Sequence, residues 1–181
     1  MALTLLLGGA RSGKSALAVR LAGRSAGPVT VVVTGEARDS EMAERIRRHR
    51  AERPNDWRTV EAPRELEAAL AGAPADAFVV LDCLTLWVSN LMEQGLDDRR
   101  VAELARSAAA VAAARPAPTV AVSNEVGAGI VPADALSRRY RDLLGQVNAV
   151  WAAEADQALL LVAGRAVPLV DPLAVPGGGD G

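Results

Sequence analysis

The chain has 181 residues, half of them hydrophobic but only 3% aromatic, and its formal net charge is −2 at pH 7. That length suits one domain with a full core and hardly two, and so small a charge gives neither a nucleic acid nor an anionic membrane a reason to bind. A single cysteine, Cys83, excludes an internal disulfide and fits a reducing cytoplasm.

Residues 3–7 form a short apolar run that reads as a buried parallel strand. The run is too short for a signal peptide or a membrane span, and it leads straight into Gly8-Gly9-Ala10-Arg11-Ser12-Gly13-Lys14-Ser15. This octad matches G-x-x-x-x-G-K-[ST], the phosphate-binding loop. Gly8 and Gly13 let the backbone turn its N–H groups inward as an anion nest, and the helix expected over residues 16–22 adds its positive end. Lys14 stands alone beside nineteen arginines. A compact ammonium curls over such a loop to the β- and γ-phosphates, whereas a planar guanidinium fork is too wide and differently aimed. Ser15 supplies a hydroxyl for magnesium. The alternative, a chance match in a glycine-rich turn, is disfavoured by the strand before the loop and the helix after it. A nucleoside triphosphate is the expected ligand.

Beyond Gly23 the apolar runs recur with helical patterns between them. Strands are expected at residues 29–34, 57–61, 78–81, 119–123 and 158–162, with 166–170 pairing at an edge. Helices are expected over 40–50, 65–71, 84–94 and 99–115, and residues 133–156 read as one long helix or a broken pair. Asp39 or Ser40 caps the 40–50 helix, and Pro54 lies beyond its end. This alternation predicts an α/β fold of the P-loop NTPase-like (RecA-like) kind, a mostly parallel sheet with helices on both faces. Ligands in such sheets sit at the carboxyl ends of the strands. Residues 1–171 are expected to form the one nucleotide-binding domain, and 172–181, ending Pro-Gly-Gly-Gly-Asp-Gly, a frayed tail.

Four further places can carry chemistry. Asp82 follows four apolar residues, so a carboxylate there can hold magnesium directly or through water; it can also cap the next helix. His49 is the only histidine, within Arg45-Ile46-Arg47-Arg48-His49-Arg50, and Arg45 and Arg53 sit one turn either side. Cationic neighbours disfavour a second positive charge, which leaves the ring a free lone pair for attack on phosphorus. The alternative is a half-buried histidine on a solvated arginine face. The Arg53–Thr59 turn is either a base- or phosphate-contacting loop or a surface turn with Trp57 plugged into the core. Ser123 to Pro132, with Gly127 and Gly129, reads either as a mobile active-site loop or as an ordinary turn before the next helix.

Taken together, these segments resemble the bifunctional adenosylcobinamide kinase / adenosylcobinamide-phosphate guanylyltransferase family of cobalamin biosynthesis. The likeness runs from the phosphate loop through Arg45-Ile46, His49, Arg53-Pro54 and Trp57-Arg58-Thr59, Leu81-Asp82-Cys83-Leu84-Thr85 and the Ser123 to Pro132 loop with its Asn124-Glu125-Val126-Gly127 to Arg141-Asp142-Leu143-Leu144-Gly145-Gln146-Val147-Asn148. The resemblance implies that His49 attacks the α-phosphate of GTP and carries GMP as a phosphoramidate, which the corrinoid phosphate then takes up as adenosylcobinamide-GDP. In the first step the same protein phosphorylates the aminopropanol hydroxyl of adenosylcobinamide with ATP or GTP. Thr34, Gly35, Glu36, Arg50, Ala51, Glu52, Arg53, Glu61 and Asp82 fall where the family contacts guanine nucleotide. Lys14 joins His49 as a catalytic group, and Ser15 and Asp82 as magnesium ligands. The family can carry glutamate at Asp82, which keeps the charge and lengthens the reach. Homotrimers are implied, with Trp87 or Trp151 either anchoring the interface or buried in the core. The residues alone also admit a monofunctional small-molecule kinase of the same fold and a non-catalytic nucleotide switch.

Overall fold

The structure of the protein, a computed structural model, describes residues 3–51 and 53–172, with Arg45 described by its backbone only. Glu52 and the expected tail beyond Pro172 lie outside the described residues. Each apolar run becomes a strand: β1 (Leu3–Gly8), β2 (Val29–Val33), β3 (Arg58–Glu61), β4 (Phe78–Asp82), β5 (Thr119–Val122), β6 (Gln157–Val162) and β7 (Arg165–Leu169). Between them lie α1 (Lys14–Ala22), α2 (Ser40–Ala51), α3 (Leu66–Ala71), α4 (Leu84–Glu93), α5 (Asp98–Ala113) and α6 (Ala135–Glu154). The stretch left open between one helix and two is a single helix of 20 residues, started by Asp134, whose side chain accepts from the Ser137 N–H.

All seven strands join one sheet in the order β3-β2-β4-β5-β1-β6-β7. Every pairing is parallel except the last, where β7 returns antiparallel to β6. Alternate side chains face opposite sides of the sheet. Thus Leu3, Leu5 and Leu7 of β1 join the larger core under α3, α4, α5 and α6, while Leu6 joins a smaller core with Ala18 and Ala22 of α1. On β4, Val79 and Leu81 go one way and Phe78 and Val80 the other. With few aromatic residues to fill space, α5 meets its neighbours through Ala105, Ala108, Ala109 and Ala112, all fully buried. Methyl-sized contacts of this kind let helices approach closely.

Trp87 and Trp151 are both buried in the larger core, so neither can anchor an interface between copies as one sequence reading allowed. Trp87 also donates its indole N–H to the Arg64 carbonyl at 2.9 Å. Trp57 is half-buried against the smaller core, which favours the plugged-turn reading. Among the described residues no helix is long and apolar enough to cross a membrane.

Candidate active site

Because β1 to β6 run parallel, their carboxyl ends lie along one edge. The register makes this concrete: Glu61 pairs with Val33, Val33 with Asp82, Asp82 with Val122 and Val122 with Leu6, a single row across five strands. Segments distant in the chain therefore open onto one shelf. Asp82 stands two strand spacings from β1, or about 10 Å.

The phosphate loop leaves this edge after Leu7. Gly8 has φ +150°, and a Cβ there would lie 2.3 Å from the Leu161 carbonyl oxygen of the neighbouring strand, so the position excludes a side chain. Gly13 turns the chain into α1 with φ +102°. The β6–β7 turn closes one wall, since the Gly164 N–H donates to the Ser12 carbonyl at 3.0 Å. Lys14 is only 7% exposed. Its ammonium donates to the carbonyl oxygens of Gly8 at 2.8 Å and Gly9 at 2.7 Å, and to Ser12 Oγ at 3.4 Å. The single lysine is thus held across the loop it must serve, and Ser15 begins the second position of α1 beside it.

At the end of β4, Asp82 does not cap α4. Its Oδ2 accepts from Arg53 Nη2 at 2.7 Å, in a pair whose side chains are only 8% (Arg53) and 17% (Asp82) exposed. Thr34 follows β2 and is fully buried. Its hydroxyl donates to the Cys83 carbonyl at 2.6 Å and accepts from the Cys83 N–H at 2.9 Å, stitching the ends of β2 and β4 together. Burial, aided by the charge of Asp82, pushes the Cys83 thiol up to about 11, so it stays protonated.

His49 lies on α2, half-buried, one turn before Arg53. Asp39 starts this helix by accepting from the Met42 N–H at 2.7 Å. Ile46 lies against Gly35, where an added Cβ would meet its Cδ1 at 3.7 Å. No described side chain of α2 is buried, so the helix rests on the shelf rather than in the core. Arg50 and Ala51 are exposed at its end, and Glu61 is exposed at the end of β3.

Glu36 is held by two arginines that sequence reasoning did not pair with it. Arg64 reaches it at 2.9 and 3.3 Å, and Arg38 contacts both it and Glu93. The Arg38 hydrogen bond, with Arg64 adding to it, keeps the Glu36 carboxyl below its ordinary range. These groups line an open cleft of about 550 Å3 with Glu65 and Gln94. Its three glutamates outnumber its two arginines, so it lacks the phosphate loop's pull on anions. Behind it, Asn90 donates to the carbonyls of Thr34 at 2.8 Å and Pro63 at 2.9 Å. No spacing rule links residues 36, 64 and 90 in advance.

The chain leaving β5 completes the shelf. The Ser123 N–H donates to Leu6 O at 2.9 Å and the Glu125 N–H to Gly8 O at 3.1 Å, which fastens this segment to the phosphate loop. Ser123 Oγ donates to Asn148 Oδ1 at 2.6 Å, Asn148 Nδ2 to Asn124 O at 3.0 Å, and the Asn124 N–H to Thr85 Oγ1 at 2.8 Å.

Comparison with known proteins bears on this site. The family described as cobinamide kinase / cobinamide phosphate guanyltransferase matches residues 4–169. The bifunctional adenosylcobalamin biosynthesis protein CobP of Pseudomonas aeruginosa is 44% identical over 170 residues, covering 91% of this chain and 95% of its own. Its counterpart CobU of Salmonella typhimurium is 39% identical over 184 residues, covering 91% and 98%. Among solved structures, an ATPase from the type III secretion system of pathogenic bacteria superposes with a TM-score of 0.51 at 13% identity. That match covers 89% of this chain and 51% of the ATPase, and it is a likeness of fold alone.

Proposed function

This chain belongs to the cobinamide kinase / cobinamide phosphate guanyltransferase family, and from that premise we propose how the shelf divides the two reactions. The enzyme phosphorylates adenosylcobinamide and then transfers GMP from GTP to the product, in cobalamin biosynthesis. The observation that carries our assignment is the buried Lys14 ammonium on the phosphate loop at the same edge where Asp82 holds Arg53, one turn past His49.

In the kinase step Gly8–Ser15 bind the triphosphate, and Lys14 balances charge on the γ-phosphoryl group as it moves to the acceptor hydroxyl. In the transferase step a nitrogen lone pair of His49 bonds to the α-phosphorus of GTP and the α–β bridging bond breaks, releasing pyrophosphate. An oxygen of adenosylcobinamide phosphate then displaces the imidazole and yields adenosylcobinamide-GDP. Arg50 and Arg53 stabilise the charge moving to the leaving group. Thr34, Gly35, Glu36, Ala51 and Glu61 belong to the guanine-nucleotide side of the shelf by the family pattern, which also gives Glu52, outside the described residues, a nucleotide contact.

Ser15 and Asp82 would hold magnesium. Their hydroxyl and carboxylate oxygens suit a hard cation that takes its remaining ligands from phosphates. When bound, the ion neutralises charge on the β- and γ-oxygens. We place the enzyme in the cytoplasm, which its single free thiol supports. Exposed Ile130, Val131 and Leu136 support self-assembly, which we take to be the homotrimer of the family pattern.

Incubation with α-labelled GTP tests the transferase assignment. The expected result is an acid-labile, alkali-stable protein adduct that His49→Gln abolishes. A protein that phosphorylates cobinamide without taking up the label is a kinase only, and one that binds nucleotide but transfers nothing is a switch.

A further inference from the structure

We propose that Glu125 is the catalytic carboxylate that takes the proton from the acceptor hydroxyl during phosphorylation, an assignment that rests on the kinase half of the function above. Two strands flank β1, the strand that carries the phosphate loop: β5 and β6. The chain leaving β6 turns through Ala163 and Gly164, which offer no ionisable side chain. The chain leaving β5 runs through Ser123 and Asn124 to Glu125. Among the described residues of these two connections, Glu125 is therefore the carboxylate next to the phosphate loop, the other, Asp134, being engaged as the cap of α6.

Its placement is tighter than adjacency. The Glu125 N–H donates to Gly8 O at 3.1 Å, and Lys14 Nζ donates to the same oxygen at 2.8 Å. One carbonyl atom thus gathers the ammonium that meets the γ-phosphate and the backbone of a half-buried glutamate. The preceding peptide is fixed by the bonds among Ser123, Asn148, Asn124 and Thr85, so the side chain starts from a rigid point. The carboxylate accepts from the Gly127 N–H in its own loop, which orients it without neutralising its charge. Other carboxylates on the shelf are differently engaged or remote. Asp82 is paired with Arg53 and Glu36 with Arg38 and Arg64. Glu61 stands on β3, four strand spacings from β1, or about 19 Å.

The step balances simply. As the hydroxyl oxygen of the acceptor forms its bond to the γ-phosphorus, its proton passes to a Glu125 carboxylate oxygen. The bond from the γ-phosphorus to the β–γ bridging oxygen breaks, and the nucleoside diphosphate leaves with the electron pair. Glu125 returns the proton to water before the next turnover. Kinases of another fold use a carboxylate for the same task.

The test compares the parent enzyme with Glu125→Gln and Glu125→Asp, measuring adenosylcobinamide phosphorylation and α-label uptake from GTP in the same preparations. A positioned base contributes about 10²–10⁴-fold. Glu125→Gln should lower the kinase kcat at least about 100-fold, lower the ratio of kinase to guanylylation rates similarly, and remove the fall of kcat on the acid side of its pH profile. Glu125→Asp should keep that acid limb at an intermediate rate. A Glu125→Gln enzyme whose kinase kcat stays within about threefold of the parent, well short of a base's contribution, overturns the assignment. Parallel loss of both reactions with the acid limb retained overturns it too, because that is how a merely structural role behaves. A parent that phosphorylates no cobinamide sinks the kinase reading and this one together, whereas an active parent with a fast Glu125→Gln variant sinks this one alone.

Discussion

Two basic residues show what a single position reveals before any fold is known. Lys14 was legible because its motif fixes both spacing and residue type, and the bonds to Gly8 and Gly9 place it accordingly. Arg115 was not legible, because an arginine near the end of an alanine-rich helix reads as solvated. It is 7% exposed, and its guanidinium donates to the carbonyls of Leu70, Ala73, Pro74 and Ala77 at 2.8 to 3.2 Å. A planar fork can bind the turn between α3 and β4 in this way, whereas a lysine has too few donors and the wrong shape. Burial lowers its pKa by disfavouring the charge, yet the four acceptors keep it in place. Replacing Arg115 by Ala leaves those carbonyls unpaired and should cost about 3 kcal/mol. Urea unfolding reads this as a lower midpoint at unchanged slope. Lysine at the position should recover less than half of the loss. Since Arg115 precedes β5, at the amino edge of the sheet, the affinity for GTP should not follow the change in stability.

At the scale of an element, α2 is the part whose limits the sequence gives well and whose attachment it does not. Asp39 begins it, as the capping rule expects, and Pro54 follows its end. That the chain just past its end is tied to β4 through Arg53 and Asp82 follows from no local pattern, because spacing within a helix says nothing about which strand the following segment meets. The assignment of His49 likewise came from the family likeness, since on spacing alone a solvated arginine face accounts for it as well. Phosphoryl transfer needs the γ-phosphorus in line with an acceptor, and guanylyl transfer needs His49 opposite the pyrophosphate at the α-phosphorus. We expect the helix to move between steps so that each geometry is met in turn, which the half-buried or exposed state of its described side chains permits. The pair between Arg53 and Asp82 is the tether to test. In Arg53→Ala, backbone amides of residues 40–51 should exchange with deuterium about 10-fold faster or more, as opening takes less free energy, and α-label uptake from GTP should fall with them. Unchanged exchange would mean that the contact of Ile46 over Gly35 holds the helix by itself.

Across the whole molecule, the alternation of strands and helices predicted a mostly parallel sheet, and parallel crossovers send the carboxyl ends of β1 to β6 to one edge. The order of strands along that edge was beyond the sequence. Nothing in residues 119–123 says that β5 inserts between β4 and β1, yet this insertion separates Asp82 from the phosphate loop and brings Glu125 beside it. Order is decided by how the faces of several helices pack at once, which no window of sequence contains. A nucleotide bound over β5 would span ends from both sides of the sheet, so its binding energy should stabilise the fold as one cooperative unit. Saturating magnesium–GTP at 100 times its dissociation constant adds about 2.7 kcal/mol. For a domain of this size that corresponds to a rise in melting temperature of about 5–10 °C in a single transition. Lys14→Ala should abolish most of the shift, because it removes the charge that meets the β- and γ-phosphates. His49→Gln should keep most of it, because a nucleophile contributes a lone pair to the reaction rather than charge to binding. Calorimetry with and without magnesium–GTP measures all three proteins directly. A Lys14→Ala protein that still gains the full shift would place the triphosphate somewhere other than the loop on β1.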